Sequence, residues 1–249
     1  RFARALALPM IGEDDRFLSS LPLFHTFGRF LELCGSIFWG ATYRFAESPS
    51  MDSLAREMRD ERPTVFISIP MKWMQLYESV RQNVDTETAE DAEIEPAVRR
   101  LVGPGLRWGL SAAGYLDPKV FRFFHRNGVS LCSGFGMTEA TGGITMTPPG
   151  RYKEDSLGPA LPGIELALAD DGELIIRGPG VMREYYRNPE ATAETIKNGW
   201  LLTGDVARED EDGFIFLVDR IKDLVIVNGF NVYPREVEEA LLEHPAIAA

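Results

Sequence analysis

The chain has 249 residues, 45% hydrophobic and 26% charged, with a net charge of −12, which is length enough for a sizeable core in the composition of an ordinary globular protein. The negative charge argues against nucleic acid or an anionic membrane as the principal partner, and no run approaches the roughly 20 apolar residues of a transmembrane segment. Two cysteines, Cys34 and Cys132, are too few for a disulfide framework and suit a reducing, cytoplasmic compartment; each is expected to be a buried structural thiol among apolar neighbours.

Up to about Gly136, short apolar runs alternate with helical patterns. Residues 17–21 predict a strand, 28–39 a helix and 42–45 a second strand. Ser50 or Asp52 opens a helix that ends before Pro63, and 64–69 is the clearest strand. Residues 71–80 carry apolar positions at helical spacing. The run Asp85, Glu87, Glu90, Asp91, Glu93 and Glu95 reads as a solvated, mobile surface segment rather than a metal site. Asp117 as cap and Pro118 in the first turn predict a helix over 118–126. This alternation implies an α/β fold: a mostly parallel sheet with flanking helices and ligands at the carboxyl ends of its strands.

Beyond Gly150 the character changes. Short strands over 165–168 and 173–177 are joined by turns such as Asp170-Asp171-Gly172, predicting a small β-rich subdomain. A hairpin-like pair over 214–217 and 224–227 and a helix over 234–243 follow.

The densest chemistry is at Leu131-Cys132-Ser133-Gly134-Phe135-Gly136-Met137-Thr138-Glu139. An apolar strand ends at Ser133, and Gly134 and Gly136 let the backbone approach a ligand closely. Phe135 offers a flat face for a heterocycle. Thr138 can donate to a phosphate oxygen, and Glu139 is a hard anionic ligand suited to Mg²⁺. Together these describe a nucleotide site, although serine and glycine at a strand end are also common in plain turns. A dinucleotide-binding G-x-G-x-x-G fails, because its third glycine falls at Glu139, where a carboxylate would repel the pyrophosphate.

A second cluster comprises Trp200-Leu201-Leu202-Thr203-Gly204-Asp205, then Asp219-Arg220-Ile221-Lys222-Asp223, then Asn228-Gly229-Phe230-Asn231-Val232-Tyr233-Pro234-Arg235-Glu236. With the Phe135 motif and the upstream Leu21-Pro22-Leu23-Phe24-His25-Thr26-Phe27-Gly28, the chain resembles the adenylate-forming superfamily of acyl-CoA synthetases, aryl-CoA ligases, luciferases and peptide-synthetase adenylation domains. The wording around Gly229 is most like that of fatty acyl-CoA synthetases. The resemblance implies ATP and Mg²⁺ as cofactors and a carboxylic acid, here a fatty acid, as substrate. CoA or a carrier-protein thiol would be the acceptor, and contact with a membrane would be peripheral. It also implies three parts: residues 1–149 and 150–218 of a large AMP-binding domain, the second β-rich, and 219–249 as the start of a mobile α+β C-terminal domain. The family's upstream phosphate loop and C-terminal lysine are not among the 249 residues. The resemblance therefore implies an internal portion, inactive alone, with half of the ATP site supplied from elsewhere.

Carried over position by position, the resemblance puts Phe135 on adenine, where the family more often has tyrosine, with Thr138 on the α-phosphate and Glu139 on Mg²⁺. Asp205 would accept from both ribose hydroxyls with Arg220 beside it; otherwise Asp205 is a turn residue and Arg220 a surface ion pair. Ala112, Ala113 and Gly114, with Ser133, Gly134, Gly136 and Met137, would wall the nucleotide, although Ala112 stands where glycine is usual and simple strand-to-loop packing fits that segment nearly as well. His25 would border the acyl pocket and place the carboxylate, or be a packed ring. Phe24, Phe27 and Trp39 are candidates for that pocket or for the core, while His125 and His244 look structural and without partners. Lys222 would be the hinge, or an exposed linker lysine, and the Gly229 loop would approach the thiol channel. The other readings are a non-catalytic nucleotide- or acyl-binding module and an amino-acid-activating adenylation domain. The second is disfavoured because residues 24–30 contain no acid to hold an amino group.

Overall fold

Five strands of the larger sheet are parallel, and the central run over residues 65–67 is apolar because both faces of the sheet are covered there. In chain order the five are β1 (Arg16–Ser19), β2 (Thr42–Phe45), β3 (Val65–Ser68), β4 (Trp108–Ala112) and β5 (Ser130–Met137). The computed structural model describes residues 5, 7–84, 91–221, 225–227, 230–232 and 241. Its larger sheet runs β2-β1-β3-β4-β5-β6, with β6 (Gly142–Met146) antiparallel to β5. The mixed α/β architecture expected from the alternation is the one observed.

Side chains alternate across this sheet. Phe66 and Leu131 enter one core, with Leu54 and Met58 of α3 (Met51–Glu61), Trp73 and Leu76 of α4 (Pro70–Arg81), Val98 of α5 (Asp91–Val102) and Phe124 of α6 (Pro118–Arg126). Phe17, Val65, Ile67, Trp108, Leu110 and Cys132 enter the other, with Leu31. Each fully buried leucine, isoleucine or phenylalanine contributes about 1.5–3 kcal/mol relative to exposure. The Asp117 carboxylate caps α6 by accepting from the Lys119 N–H at 2.8 Å, and Ser50 caps α3 through the Ser53 N–H at 3.3 Å. Asp15, outside the sequence expectations, accepts from Arg107 Nε and Nη2 at 3.0 and 2.7 Å and from the Thr64 hydroxyl at 2.6 Å, tying the starts of β1, β3 and β4 together.

The helix expected over 28–39 is two pieces. Phe27–Cys34 is π-wound (α1), and Gly35–Trp39 continues as α2. Cys34 is exposed on α1, not buried as expected, because it faces away from the Leu31 side that meets the sheet; Cys132 is buried and accepts the Trp108 indole N–H at 3.3 Å. Of the acidic run, Asp91, Glu93 and Glu95 belong to α5 rather than to a mobile segment, because Ile94, Ala97 and Val98 give that stretch a buried face. Residues 85–90 lie outside the described residues.

The second sheet is antiparallel: β7 (Glu165–Leu168), β8 (Glu173–Arg177), β10 (Trp200–Glu209) and β11 (Ile215–Arg220) in the order β11-β10-β8-β7, with β9 (Ile196–Lys197) on β10. Leu174, Ile176, Leu201 and Ile215 pack against Ala140 and Ile144, which sets this sheet beside the end of β5. Among the described residues the pairing of 214–217 with 224–227 is not found. β11 pairs with β10, where Ile215 is fully buried, and Val225–Val227 (β12) pairs instead with Phe230–Val232 (β13), Val227 opposite Phe230. The Asn228-Gly229 dipeptide between two apolar runs is itself a strong two-residue hairpin signal. The helix expected over 234–243 lies, apart from Leu241, outside the described residues.

Candidate functional site

At its carboxyl end β5 meets β6 with a register shift between Phe135 and Gly136, a bulge of the kind that re-aims side chains beside binding sites. Gly136 is required there by the neighbouring strand: a Cβ would meet the Gly142 carbonyl oxygen at 1.9 Å, and one on Gly134 would meet that of Thr145 at 2.9 Å. These glycines therefore answer to the close approach of β6, a reason additional to the ligand approach expected from the sequence. The loop after β4 carries Ala113 at φ +67°, a left-handed conformation that costs a residue with a Cβ on the order of 1 kcal/mol.

A second irregularity lies in β10. Its pairing with β8 shifts between Leu202 and Val206, and Gly204 takes φ +77°. The Gly204 N–H donates to Glu173 Oε1 at 2.8 Å, the Asp205 N–H to the Thr203 hydroxyl at 3.1 Å, and that hydroxyl to the Leu174 carbonyl at 2.6 Å. This bulge holds Asp205, only 7% exposed, opposite Arg220 of β11, whose Nε stands 3.4 Å from Asp205 Oδ1. Burial pushes the Asp205 carboxyl above the usual carboxylate range. Arg220 opposes that rise and Glu173 adds to it.

Between the two bulges lies a cleft of about 320 Å³. Asp205 and Arg220 line one side, with Ser133, Gly134, Phe135 and Gly136 of β5 and Ala113 and Gly114 of the loop after β4 on the other. Tyr152 and Phe121, stacked at 4.7 Å, complete the wall. The Ser111 hydroxyl, also in the wall, is buried without a hydrogen-bond partner among the described residues. A smaller, mostly apolar cavity of about 140 Å³ is lined by His25, Phe27, Leu31, Ala112, Met137 and Thr138, among others. The two spaces share Ala113, Gly134, Phe135 and Gly136.

The structure thus brings together Ala112, Ala113, Gly114, Ser133, Gly134, Phe135, Gly136, Met137, Thr138, His25, Asp205 and Arg220 around two adjoining spaces. The His25 ring accepts the Phe27 N–H on Nδ1 at 3.1 Å, which leaves Nε2 to carry the proton in the neutral ring. Phe27 lines the smaller cavity, Trp39 packs against the core and Phe24 does neither, being 89% exposed. His125 has a partner after all: its Nε2 lies 2.6 Å from the Leu131 carbonyl, and its ring meets Tyr152 edge-on. Lys222, Gly229 and His244 lie outside the described residues.

Glu139 lines neither space. Its Oε1 accepts from the Tyr185 hydroxyl at 2.8 Å, and its carbonyl from the Met182 N–H at 2.6 Å. Among the described residues Oε2 carries no hydrogen bond, and no group of three or more histidine, cysteine or carboxylate side chains gathers there. Thr138, the residue before Glu139, lines the smaller cavity, and one hard carboxylate oxygen without a hydrogen bond fits Mg²⁺, which is held by one or two carboxylates plus substrate oxygens and water. Tyr185 and Glu173 were not foreseen: both act through contacts between elements far apart in sequence, and neither sits in a pattern.

The family model for AMP-binding enzymes matches residues 2–186. The chain is 31% identical over 249 residues to a long-chain-fatty-acid–CoA ligase of Bacillus subtilis, covering 94% of this chain and 41% of that protein. It is 43% identical over 137 residues to one of Escherichia coli O157:H7, covering 51% and 24%. Among solved structures, O-succinylbenzoate coenzyme A synthetase of Bacillus subtilis in complex with ATP and magnesium superposes with a TM-score of 0.80 at 27% identity, over 99% of this chain and 51% of that one. ATP-bound MatB of Rhodopseudomonas palustris gives 0.83 at 26%, over 99% and 48%. The chain spans less than half the length of the curated relatives.

Proposed function

The chain belongs to the AMP-binding enzyme family, and from that premise we propose that it is the part of an acid–thiol ligase that binds the nucleotide and the acid. The acid, a fatty acid in this reading, is joined to ATP as an acyl-adenylate with release of pyrophosphate. The acyl group then passes to the thiol of CoA or of a carrier protein. The observation that carries this reading is the shared wall: Ala113, Gly134, Phe135 and Gly136 border both the cleft with the Asp205–Arg220 pair and the apolar cavity with His25. A nucleotide in the first and an acyl chain in the second would meet at Gly136 and Thr138.

A carboxylate acylates poorly because its charge repels nucleophiles and its oxygen leaves badly. Conversion to a mixed anhydride with AMP supplies a stable phosphate monoester as leaving group. The residues need only orient the reactants and screen charge, so no general base is required. Phe135 stacks on adenine, with Ala112, Ala113, Gly114, Ser133, Gly134 and Met137 shaping its slot. The two oxygens of Asp205 accept from the ribose hydroxyls, as an ionised carboxylate does well, and Arg220 stands over the same sugar. Thr138 donates to the α-phosphate, and His25 Nε2–H faces the incoming carboxylate. Glu139 is the residue to hold Mg²⁺, which when bound offsets the charge of the phosphates. In the same reading Lys222 is the hinge for a C-terminal domain beginning near 219, after a β-rich part over 150–218, and the Gly229 loop serves the thiol.

The test is a pyrophosphate-release screen of carboxylic acids of graded chain length, with the complete protein, ATP and Mg²⁺. Release that depends on a fatty acid, followed by CoA-dependent loss of the adenylate, is the expected result. Release with amino acids alone would replace the proposal by amino-acid activation, and nucleotide binding without release would replace it by a binding module.

A further inference from the structure

The turn that carries Glu139 leaves the large sheet and is held from outside it. The Met182 N–H donates to the Glu139 carbonyl at 2.6 Å, the Thr141 hydroxyl to the Gly180 carbonyl, and the Tyr185 hydroxyl to Glu139 Oε1 at 2.8 Å. The loop lies close enough that a Cβ on Gly180 would come within 3.0 Å of the Ala140 carbonyl oxygen. Tyr185 is itself anchored. Its N–H donates to Thr192 Oγ1 at 2.9 Å, that hydroxyl donates to the Asn188 carbonyl at 2.8 Å, and Asn188 Oδ1 caps the helix Pro189–Thr195 (α7) through the Ala191 N–H at 3.1 Å. Hydrogen bonds therefore hold the Tyr185 backbone to the start of α7, while its hydroxyl holds one carboxylate oxygen of Glu139.

An unrestrained glutamate loses about 1.5–2 kcal/mol of rotamer entropy when it is fixed on a ligand. The Tyr185 hydroxyl meets that cost in advance and leaves Oε2 without a hydrogen bond among the described residues. Carboxylates that ligate metals are characteristically held this way by a second hydrogen bond, and its loss weakens metal affinity by about 10–100-fold. We infer that Tyr185 is a positioning residue for Glu139: the loop between β8 and α7 aims the carboxylate that receives Mg²⁺·ATP. The inference rests on the role proposed above for Glu139.

The experiment is calorimetric titration of ATP into the complete protein, with Mg²⁺ and with chelator, so that binding is read without turnover. Tyr185→Phe keeps the ring and deletes one oxygen. We expect about 10-fold weaker binding in Mg²⁺ and unchanged binding in chelator, a split that general loosening of the fold would not produce. In the Glu139→Gln background, Tyr185→Phe should add no further loss. Thr192→Val, which releases the tyrosine backbone while leaving its hydroxyl, should give a smaller loss of the same metal-dependent kind. If Glu139→Gln weakens Mg²⁺·ATP binding while Tyr185→Phe does not, or if the two losses add in full, the positioning role is wrong and the metal role stands. If Glu139→Gln itself leaves the metal dependence intact, the role of Glu139 falls and takes this inference with it.

Discussion

Asp205 is where local physics and proposed function pull in opposite directions. Burial disfavours its charge, so its carboxyl sits above the usual range, and its cationic neighbour Arg220 is 71% exposed, a geometry in which an ion pair contributes little to stability. A buried carboxylate with weak internal compensation is poised to accept hydrogen bonds from a ligand. Asp205→Ala in the complete protein should therefore raise the KM for ATP by an amount equivalent to ~2–4 kcal/mol, two charge-assisted hydrogen bonds. An unchanged ATP dependence of pyrophosphate release would remove Asp205 from the ribose. Ala113 makes a contrasting case, because its φ of +67° is strained for any residue with a Cβ and relaxed for glycine. Ala113→Gly should stabilise the fold by ~1 kcal/mol, read as a higher urea midpoint; a lower midpoint would mean that the methyl packing in the cleft wall outweighs the strain.

At the scale of elements, α1 hides a charge that its apolar neighbours conceal in the sequence. Glu32, between Leu31 and Leu33, is fully buried. It receives the Ser19 hydroxyl and, at 3.5 Å, that of Tyr43, while Oε1 has no partner among the described residues. Burial pushes its carboxyl up to about 8 against the pull of those hydroxyls. The sign follows from linkage: between the unfolded value of 4.5 and about 8 the folded chain holds a proton that the unfolded chain has lost. Stability must fall as pH rises through that window, by a few kcal/mol at most. Glu32→Gln should flatten the slope of the melting temperature between pH 5 and 8, and a slope identical to the parent would assign the pH response to other groups. Elsewhere the strands and helices legible in the sequence were those with one dominant local signal: the apolar run of β3, and the Asp117-Pro118 start of α6. β6 and the bulge in β10 escaped notice because Gly142-Gly143 and Thr203-Gly204-Asp205 read locally as loops, and only pairing with β5 and β8 makes them strands.

Across the whole molecule, two sheets of different construction meet so that the end of one faces a bulge in the other. If the C-terminal domain turns about residue 222, as the resemblance implies, Lys222→Pro should preserve adenylate formation and stop thioester formation, because a fixed φ removes the rotation. Equal loss of both half-reactions would contradict a hinge there. The amino-acid sequence by itself determined the α/β class, the order of the motifs and the motif residues among those lining the two cavities, because apolar runs, caps and glycine turns act over a few residues and leave their pattern in the chain. It could not determine that Gly136 is demanded by β6, that Cys34 faces outward, or that Tyr185 reaches Glu139 across 46 positions. Those contacts depend on which elements become neighbours once both faces of the sheet are buried, and that is decided by the packing of the entire fold.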